Sequence, residues 1–483
     1  MPVPVVPSCC ARAPAADDVG AIRHRSSAAI AAPKQPRGLF GATTADVDPS
    51  IPPTLSTAGA LRFWAAVLCT GVGAGAGAAV LTKLLELVQH VAWPGTTLLE
   101  AATRASPWHH MGALLGAGLL TGAGQIVLRR LTSGNGIDIT EAISLHAGRL
   151  PAVRTLGSAV LSILVVGMGA SLGREGAPKQ TGAVIANQFA DRARLSDEQR
   201  RLLVACGAGA GMAAAYGVPL GGALFALEVL RGVLALRLIL PALLASAVAT
   251  AVSWLVLPDA PTYLIPAYPS SVSAVSWALI AGPIAGVVSG GYVQFVAWAD
   301  RNKPTGWRRL VAPIIVLGAL GATSIVFPQL LGNGKDIAQL AFMNQVPPLL
   351  LLTLLFLRPL ATVACLGSGV PGGLFTPSLA LGALLGGALG FVWSLAWPGA
   401  PAGLFAVLGA AAVLAATTHG PISAVVLMIE LTAHDRSFIL PLIVIVVTAT
   451  VVARTLDGRS IYDARFTKHE VDELQLARRP ASN

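Results

Sequence analysis

Glu175 is the residue with the clearest chemical potential in this sequence. It lies in the run GREG, residues 173–176, close to long apolar stretches. A carboxylate is costly to place in an apolar, membrane-like environment, so an acidic residue there is a candidate for a functional role. The alternative is a helix-terminal charge that pairs with the neighbouring Arg174. We favour the functional role.

Gly-rich turns recur along the chain, and each is followed by a predicted apolar helix. The first amides of a helix have no partner within the helix, and the helix dipole adds partial positive charge, so such turns favour an anion. A site built from amides needs no buried lysine, which suits an anion that must leave as readily as it enters. Close helix packing is the alternative role for glycines. The turns are GNGIDI from Gly134, GREGAPKQTGAVIA from Gly173, GNGKDI from Gly332 and GGLFTPSLALGALLG from Gly372.

A different chemistry is suggested by residues 169–173, which read GASLG. This run matches the GxSxG pattern around a nucleophilic serine, here Ser171. The nucleophile would need a base, for which His146 and His419 are the candidates, and the chain would then be an intramembrane serine protease. A short Gly-containing pattern arises easily in a Gly- and Ala-rich chain. The protease is therefore a distant alternative.

The Gly-rich turns belong to an internal repeat. Three pairs of segments occur in the same order at offsets of 198 to 202 residues: GNGIDI with GNGKDI, the segment from Gly173 with the segment from Gly372, and AAYGVPLGGALFALE with ATTHGPISAVVLMIE, which end at Glu228 and Glu430. This order predicts two homologous halves, residues 105–257 and 305–455. If each half crosses the membrane an odd number of times, the two halves have inverted topology.

Composition places these elements in a bilayer. Charged residues make up 12% of the chain, hydrophobic residues make up 54%, and the mean hydropathy is +0.70. So few charges would not keep the surface of a 483-residue chain dissolved in water. Many apolar segments are shorter than a full span of about 20 residues and are broken by Gly and Pro. Broken helices are tolerated where they face protein or a water-filled cavity, and in repeat transporters they point at the substrate.

The charge of +10 is concentrated near both ends of the chain. Basic flanks favour the cytoplasm, so we expect a multi-pass protein of the plasma or inner membrane with both termini cytoplasmic. Residues 1–55 are expected to be a disordered tail, residues 56–470 the transmembrane domain and residues 471–483 a C-terminal tail. The basic residues do not interleave with aromatic residues, so no nucleic-acid partner is expected. The five cysteines show no metal-ligand spacing, and no metal or cofactor is expected.

With these motifs the chain resembles the prokaryotic-type CLC family of chloride channels and chloride/proton antiporters. Residues 173–176 are identical to the start of the family's GREGP motif, and residues 373–377, GLFTP, fit its GxFxP motif. Residues 134–138, GNGID, lie where the family carries GSGIP. Tyr462 lies where the family places a pore-lining tyrosine, in a short helix after the last span. The agreement extends over residues 58–470.

The resemblance implies a fold, a function and roles for particular residues. The fold would be an all-α integral membrane protein of two inverted repeats with many tilted and re-entrant helices. It would be a homodimer in the lipid bilayer, with a chloride pathway in each subunit, no enzymatic activity and no paired cytoplasmic regulatory domains. Glu175 would be the gate of that pathway. The resemblance implies that the anion is bound by Asn135, Gly136, Gly176, Leu374, Phe375 and Tyr462.

Two departures from the family pattern bear on mechanism. Asn135 replaces the usual serine at a position that influences anion preference, so chloride is an expectation, which Tyr462 favours over fluoride. Val229 stands where proton-coupled members usually carry a glutamate, and valine cannot carry a proton. The sequence therefore predicts passive, channel-like chloride conduction. A chloride/proton or fluoride/proton antiporter of the same family is the alternative.

Overall fold

Helices account for the regular structure of this chain, as its long apolar segments predict. The computed structural model describes residues 59–132, 138–268, 271–397, 401–433, 438–464 and 466. Seventeen α-helices and no strand occur among these residues. Asn135, Gly136 and the two predicted tails lie outside them.

The first nine helices run from the N-terminal side to the middle of the chain. Ser and Asp side chains start several of them: Ser196 forms a capping box with Gln199, and Asp138 accepts a hydrogen bond from the Thr140 amide. A π-helical turn, Ala226–Arg231, follows α8. The helices are α1 Ala60–Ala92, α2 Leu98–Arg104, α3 Pro107–Leu131, α4 Ile139–Ser144, α5 Ala152–Gly167, α6 Gly176–Arg192, α7 Asp197–Tyr216, α8 Pro219–Phe225 and α9 Leu236–Ser253.

The remaining eight helices repeat the order of the first set, without a counterpart of the short α2. The turn GNGKDI leads into α12 as GNGIDI leads into α4, and α14 follows GGLFTP as α6 follows GREG. The helices are α10 Val272–Arg301, α11 Arg308–Ser324, α12 Lys335–Phe342, α13 Pro348–Gly367, α14 Phe375–Ala396, α15 Ala402–Thr418, α16 Pro421–Thr432 and α17 Ile439–Leu456.

Length and burial divide these helices into outer and inner ones. Six described helices, α1, α3, α10, α13, α14 and α17, are long and apolar enough to cross a membrane. Several present large apolar side chains outward, such as Val80 on α1 and Phe356 on α13, and a bilayer would cover these side chains. By contrast, α7 and α15 are built from small residues, are almost fully buried and form the centre of each half.

Small residues allow the inner helices to approach closely, and they do so equivalently in both halves. A Cβ atom on Gly182 would collide with the Gly207 carbonyl between α6 and α7. The same collision would occur between Gly382 and Gly409, on α14 and α15. These four glycines therefore have the packing role that sequence analysis gave as the alternative for Gly-rich segments.

Reciprocal contacts relate the two halves by a two-fold axis. The Glu228 carboxylate accepts hydrogen bonds from the amides of Ile422 and Ser423 at the start of α16. Its counterpart Glu430 accepts hydrogen bonds from two amides at the start of α8. Here a residue of the first half contacts the second half, and its counterpart in the second half makes the same contact with the first. Such reciprocal contacts indicate a two-fold relation. This supports the predicted inverted repeats, and it gives Glu228 a structural role as an acceptor for the start of α16.

Candidate functional site

Two Gly-rich turns, one from each half, meet at the centre of the molecule. The Gly173 amide donates to the Gly373 carbonyl and the Gly373 amide donates back to the Gly173 carbonyl, each at 2.8 Å. A Cβ atom on either glycine would collide with the carboxylate of Glu175. Both glycines therefore leave the space in which this carboxylate lies.

The Glu175 carboxylate rests on the first turn of α14. The Phe375 amide donates to Oε1 at 2.6 Å and the Thr376 hydroxyl donates to Oε2 at 3.1 Å. The side chain is 0% exposed. A helix N-terminus with unpaired amides stabilises negative charge, and here the protein's own carboxylate occupies the place that an anion would take.

The neighbouring Arg174 does not pair with Glu175. Its guanidinium lies 4.9 Å from the centre of the Tyr216 ring. The Tyr216 hydroxyl lies 3.0 Å from the Thr376 hydroxyl. Because the single Thr376 proton goes to Glu175, Tyr216 is the donor in this second hydrogen bond. The alternative of a helix-terminal pair with Arg174 is therefore wrong. One amide and one hydroxyl donate to the carboxylate, and Tyr216 donates to that hydroxyl.

Aromatic rings connect the start of α14 with Tyr462. The Phe225 ring contacts the Phe375 ring with its centre 6.2 Å away and the Tyr462 ring with its centre 6.0 Å away, both edge to face. Ile461 donates from its amide to the Thr417 carbonyl at 2.7 Å, which holds the segment carrying Tyr462 against the end of α15. The described residues 461–464 form a hydrogen-bonded turn rather than the expected short helix.

A lysine lies beside this aromatic group. Lys179 is on α6, one turn after Glu175, and is 4% exposed. Its Nζ donates to the Tyr462 hydroxyl at 3.3 Å. It also lies 4.9 Å from the centre of the Tyr462 ring and 5.1 Å from that of Phe225. The residues predicted to bind the anion therefore lie next to a buried lysine, which the sequence did not predict.

The two sequence neighbours of Glu175 line two different cavities. Gly176 lines a cavity of about 370 Å³ together with Gly372, Arg154, Gln180 and Phe466. The preceding residue, Arg174, lines a different cavity of about 210 Å³, whose wall includes Asn333, Lys335 and Asp336. Glu175 lies between these two lining residues and is itself fully buried.

The remaining residues predicted for the site are placed as follows. Leu374 is fully buried and immediately precedes α14. Gly176 is the first residue of α6. Val229 is buried in the π-helical turn that also holds Glu228. The predicted roles of Asn135 and Gly136 fall outside the described residues. The structure thus brings together Glu175, Phe375 and, through the Phe225 ring, Tyr462.

The described residues offer no catalytic pair for the rival serine chemistry. Ser171 is fully buried, and its hydroxyl lies 3.4 Å from the Thr362 hydroxyl. His146 instead contacts Glu141. His419 ends α15 with a left-handed backbone at φ 56°. Without a histidine at Ser171, the protease alternative has no base.

Sequence reasoning missed four side chains of the site: Thr376, Tyr216, Phe225 and Lys179. Thr376 lies within the GLFTP run, and its hydroxyl could have been considered with the neighbouring amides. Lys179 lies in the segment that follows GREG, where an isolated lysine before a Gly- and Ala-rich run is itself a signal. Tyr216 and Phe225 carry no local signal, because only folding brings α7 and α8 to the start of α14.

Known proteins match this chain over most of its length. The family model described as "Voltage gated chloride channel" matches residues 117–454. Among curated proteins, the "Voltage-gated ClC-type chloride channel ClcB" of Citrobacter koseri is 34% identical over 388 residues, covering 77% of this chain and 91% of the relative. The protein of the same description from Escherichia coli is 34% identical over 390 residues, covering 77% and 90%.

Solved structures share the fold. A slow cyanobacterial Cl⁻/H⁺ antiporter superposes with a TM-score of 0.74 at 24% identity, covering 86% of this chain and 98% of that one. A CLC-type fluoride/proton antiporter superposes with a TM-score of 0.69 at 23% identity, covering 85% and 98%. At these identities the likeness concerns the fold.

Proposed function

This chain belongs to the prokaryotic-type CLC family of anion transport proteins, and we propose that it moves chloride across a cell membrane with Glu175 as the gate. One observation carries this proposal. The Glu175 carboxylate occupies the start of α14, where an anion would bind, and its two chain neighbours line different cavities. On this proposal, a chloride ion that passes from one cavity to the other displaces this carboxylate.

The anion would be held by groups that surround the resting carboxylate. The amides of Leu374 and Phe375 begin α14, and the Tyr462 hydroxyl lies across the Phe225 ring from them. Gly176 adds the first amide of α6. Asn135 and Gly136 complete the proposed set by their place in the family motif. Tyr462 is the member that favours chloride over fluoride.

Proton-coupled exchange is the mode of transport that this gate favours. A carboxylate that binds the same amide as the anion leaves when it takes up a proton or when chloride replaces it, so anion and proton binding are linked at one place. The two related folds described above are antiporters. Passive conduction, which Val229 predicts, remains the second candidate, because Val229 carries no proton and both curated relatives are described as channels.

The test uses the full chain in liposomes loaded with chloride, with external chloride and pH recorded together. Chloride efflux that drives protons uphill supports exchange and requires a proton carrier other than residue 229. Chloride efflux without linked proton movement supports conduction. If fluoride or nitrate moves and chloride does not, the proposed substrate is wrong.

The cellular setting follows from the family and the charge pattern. We propose a plasma or inner membrane location with both termini in the cytoplasm, and a homodimer with one pathway per subunit. Crosslinking of the protein in native membranes, followed by electrophoresis, tests the dimer. A single monomeric band at every crosslinker concentration would contradict it.

A further inference from the structure

Lys179 is a buried cation for which the site described so far gives no counter-charge. It is 4% exposed, and none of the ion pairs among the described residues includes it. Its Nζ has one hydrogen-bond partner there, the Tyr462 hydroxyl at 3.3 Å, and two aromatic faces. Glu175, one turn earlier and immediately before α6, directs its carboxylate to Phe375 and Thr376 instead.

This environment compensates only part of the charge of an ammonium group. An ammonium group has three donors and no acceptor. Contact with aromatic faces stabilises a desolvated cation by less than the burial of an unpaired charge costs. A negative partner at hydrogen-bond distance would offset this cost. The pathway supplies a candidate, because its proposed cargo is a small monovalent anion.

We propose that Lys179 is an anion ligand of the pathway and binds chloride together with the Tyr462 hydroxyl. This inference rests on the proposed function and deepens it. The ammonium supplies positive charge beside the Tyr462 hydroxyl, and the Phe225 ring lies between Tyr462 and the start of α14. Chloride then binds at a site made of one cation and neutral donors. Lys179 thereby sets the affinity for the transported anion, whereas Glu175 controls its passage.

The experiment measures the chloride dissociation constant of the detergent-solubilised full chain by isothermal titration calorimetry in a chloride-free isethionate buffer. The variants are Lys179→Met, which keeps length and removes charge, and Lys179→Arg, which keeps charge. The control Lys83→Met removes an exposed lysine that pairs with Glu86. Charge-assisted hydrogen bonds are strong enough that Lys179→Met should weaken chloride binding about tenfold or more. Lys179→Arg should retain most of the affinity, and Lys83→Met all of it.

Chloride flux into liposomes separates failure of this inference from failure of the proposed function. If the wild type transports chloride and Lys179→Met binds it within twofold of the wild type, Lys179 is not an anion ligand although the function stands. If Lys179→Met keeps its affinity and loses only linked proton movement, Lys179 carries protons and the proposal is overturned. If the wild type neither binds nor transports chloride, both proposals fail.

A third variant covers the case in which Lys179→Met does not fold. Lys179→Gln keeps a donor without the charge and should also bind chloride at least severalfold more weakly than Lys179→Arg. Equal affinities of these two variants would overturn the role of the charge. Their monodispersity in size-exclusion chromatography shows that folded protein is compared.

Discussion

At the scale of single residues, the two glycines beside Glu175 matter as much as the carboxylate itself. Gly173 and Gly373 exchange two backbone hydrogen bonds, and their missing side chains leave room for the acid. The carboxylate can then reach the Phe375 amide, which is also the proposed anion ligand. Glycine is therefore required here by the space that the Glu175 side chain occupies.

Gly373→Ala should weaken the closed state of the gate. The added methyl group would occupy the space of Glu175 Oε1, so the carboxylate could no longer rest on the Phe375 amide. We expect chloride flux at neutral pH to rise relative to flux at acid pH, measured in liposomes. The control Gly291→Ala, on α10, adds a methyl group with nothing within 4 Å. Equal pH profiles of the two variants would contradict this role of Gly373.

Arg154 is a second buried cation, and it lines the larger of the two cavities beside the proposed gate. It is 8% exposed, its Nη1 has no hydrogen-bond partner among the described residues, and it lines the larger cavity. Asp138, Glu141 and Asp300 line the same cavity, so loss of Arg154 would leave mostly negative charge there.

Arg154→Gln should therefore lower chloride flux severalfold at low ionic strength and less at high ionic strength, because salt screens the attraction of the mobile anion. Flux from liposomes at about 10 mM and about 300 mM salt would measure the effect, because the Debye length differs severalfold between these concentrations. Arg149→Gln is the control, since Arg149 is exposed and pairs with Asp197. A loss of flux independent of salt would indicate a structural role instead.

At the scale of elements, the short helices α8 and α16 are each capped by a glutamate from the other half. The Glu228 carboxylate accepts hydrogen bonds from the first amides of α16, and the Glu430 carboxylate accepts them from the first amides of α8. Loss of a carboxylate at a helix start costs about 0.5–2 kcal/mol. This capping explains why both repeated segments end in glutamate.

Glu228→Ala and Glu430→Ala should therefore destabilise the protein by similar amounts and lower its melting temperature in detergent. Glu228→Gln, which keeps one acceptor oxygen, should lower it less than Glu228→Ala. Thermal unfolding followed by tryptophan fluorescence measures both comparisons. If Glu228→Ala left stability unchanged but abolished proton movement, Glu228 would be a proton carrier rather than a cap.

The ion pair of Asp457 and Arg459, in the turn before Tyr462, contributes a pH-dependent part of the protein's stability. Arg459 donates from Nε and Nη2 to the two carboxylate oxygens of Asp457, each at 2.8 Å, and these hydrogen bonds hold the pKa of Asp457 below 3.8. Because the folded pKa is depressed, this stabilisation is present above pH 3.8 and is lost as pH falls through the folded pKa.

Asp457→Asn should consequently lower the melting temperature at pH 7, and the difference from the wild type should shrink below about pH 4. Melting curves across this range test the prediction. A constant difference would show that the effect of the substitution does not come from the charge of Asp457.

The sequence predicted these elements unequally, for physical reasons. The pairing of Glu175 with the start of α14 could be foreseen, because both lie in motifs at equivalent places of a repeat. The contact of Lys179 with Tyr462 could not, because it joins residues 283 apart that share no motif. The position of Val229 could be predicted from its neighbour Glu228. The position of the Phe225 ring between Phe375 and Tyr462 could not, because it depends on how α8 packs.

At the scale of the whole molecule, the two-fold relation of the halves explains where the site lies. A two-fold axis brings equivalent segments face to face, and the turns at Gly173 and Gly373 are such a pair. The helices that follow them, α6 and α14, therefore both begin at the centre of the molecule. One half supplies the proposed gate and the cation Lys179, and the other supplies the amides proposed to bind the anion.

The asymmetry between the halves is as informative as the symmetry. The position equivalent to Glu175 is occupied by Leu374 or Phe375, so only one of the two turns carries a carboxylate. Two carboxylates would repel chloride from the shared space, and none would leave the pathway without a gate. On this proposal, the duplicated scaffold builds one pathway with a single carboxylate between the two turns.

The most direct test of this account is the pH dependence of chloride efflux from liposomes for the wild type and Glu175→Gln. Glutamine keeps the size of the side chain and cannot be ionised, so we expect efflux that no longer varies with pH, whereas wild-type efflux rises as pH falls. The control is Glu228→Gln, which removes the carboxylate that caps α16, and it should keep the wild-type pH profile. If Glu175→Gln retained the pH dependence of the wild type, Glu175 would not be the gate.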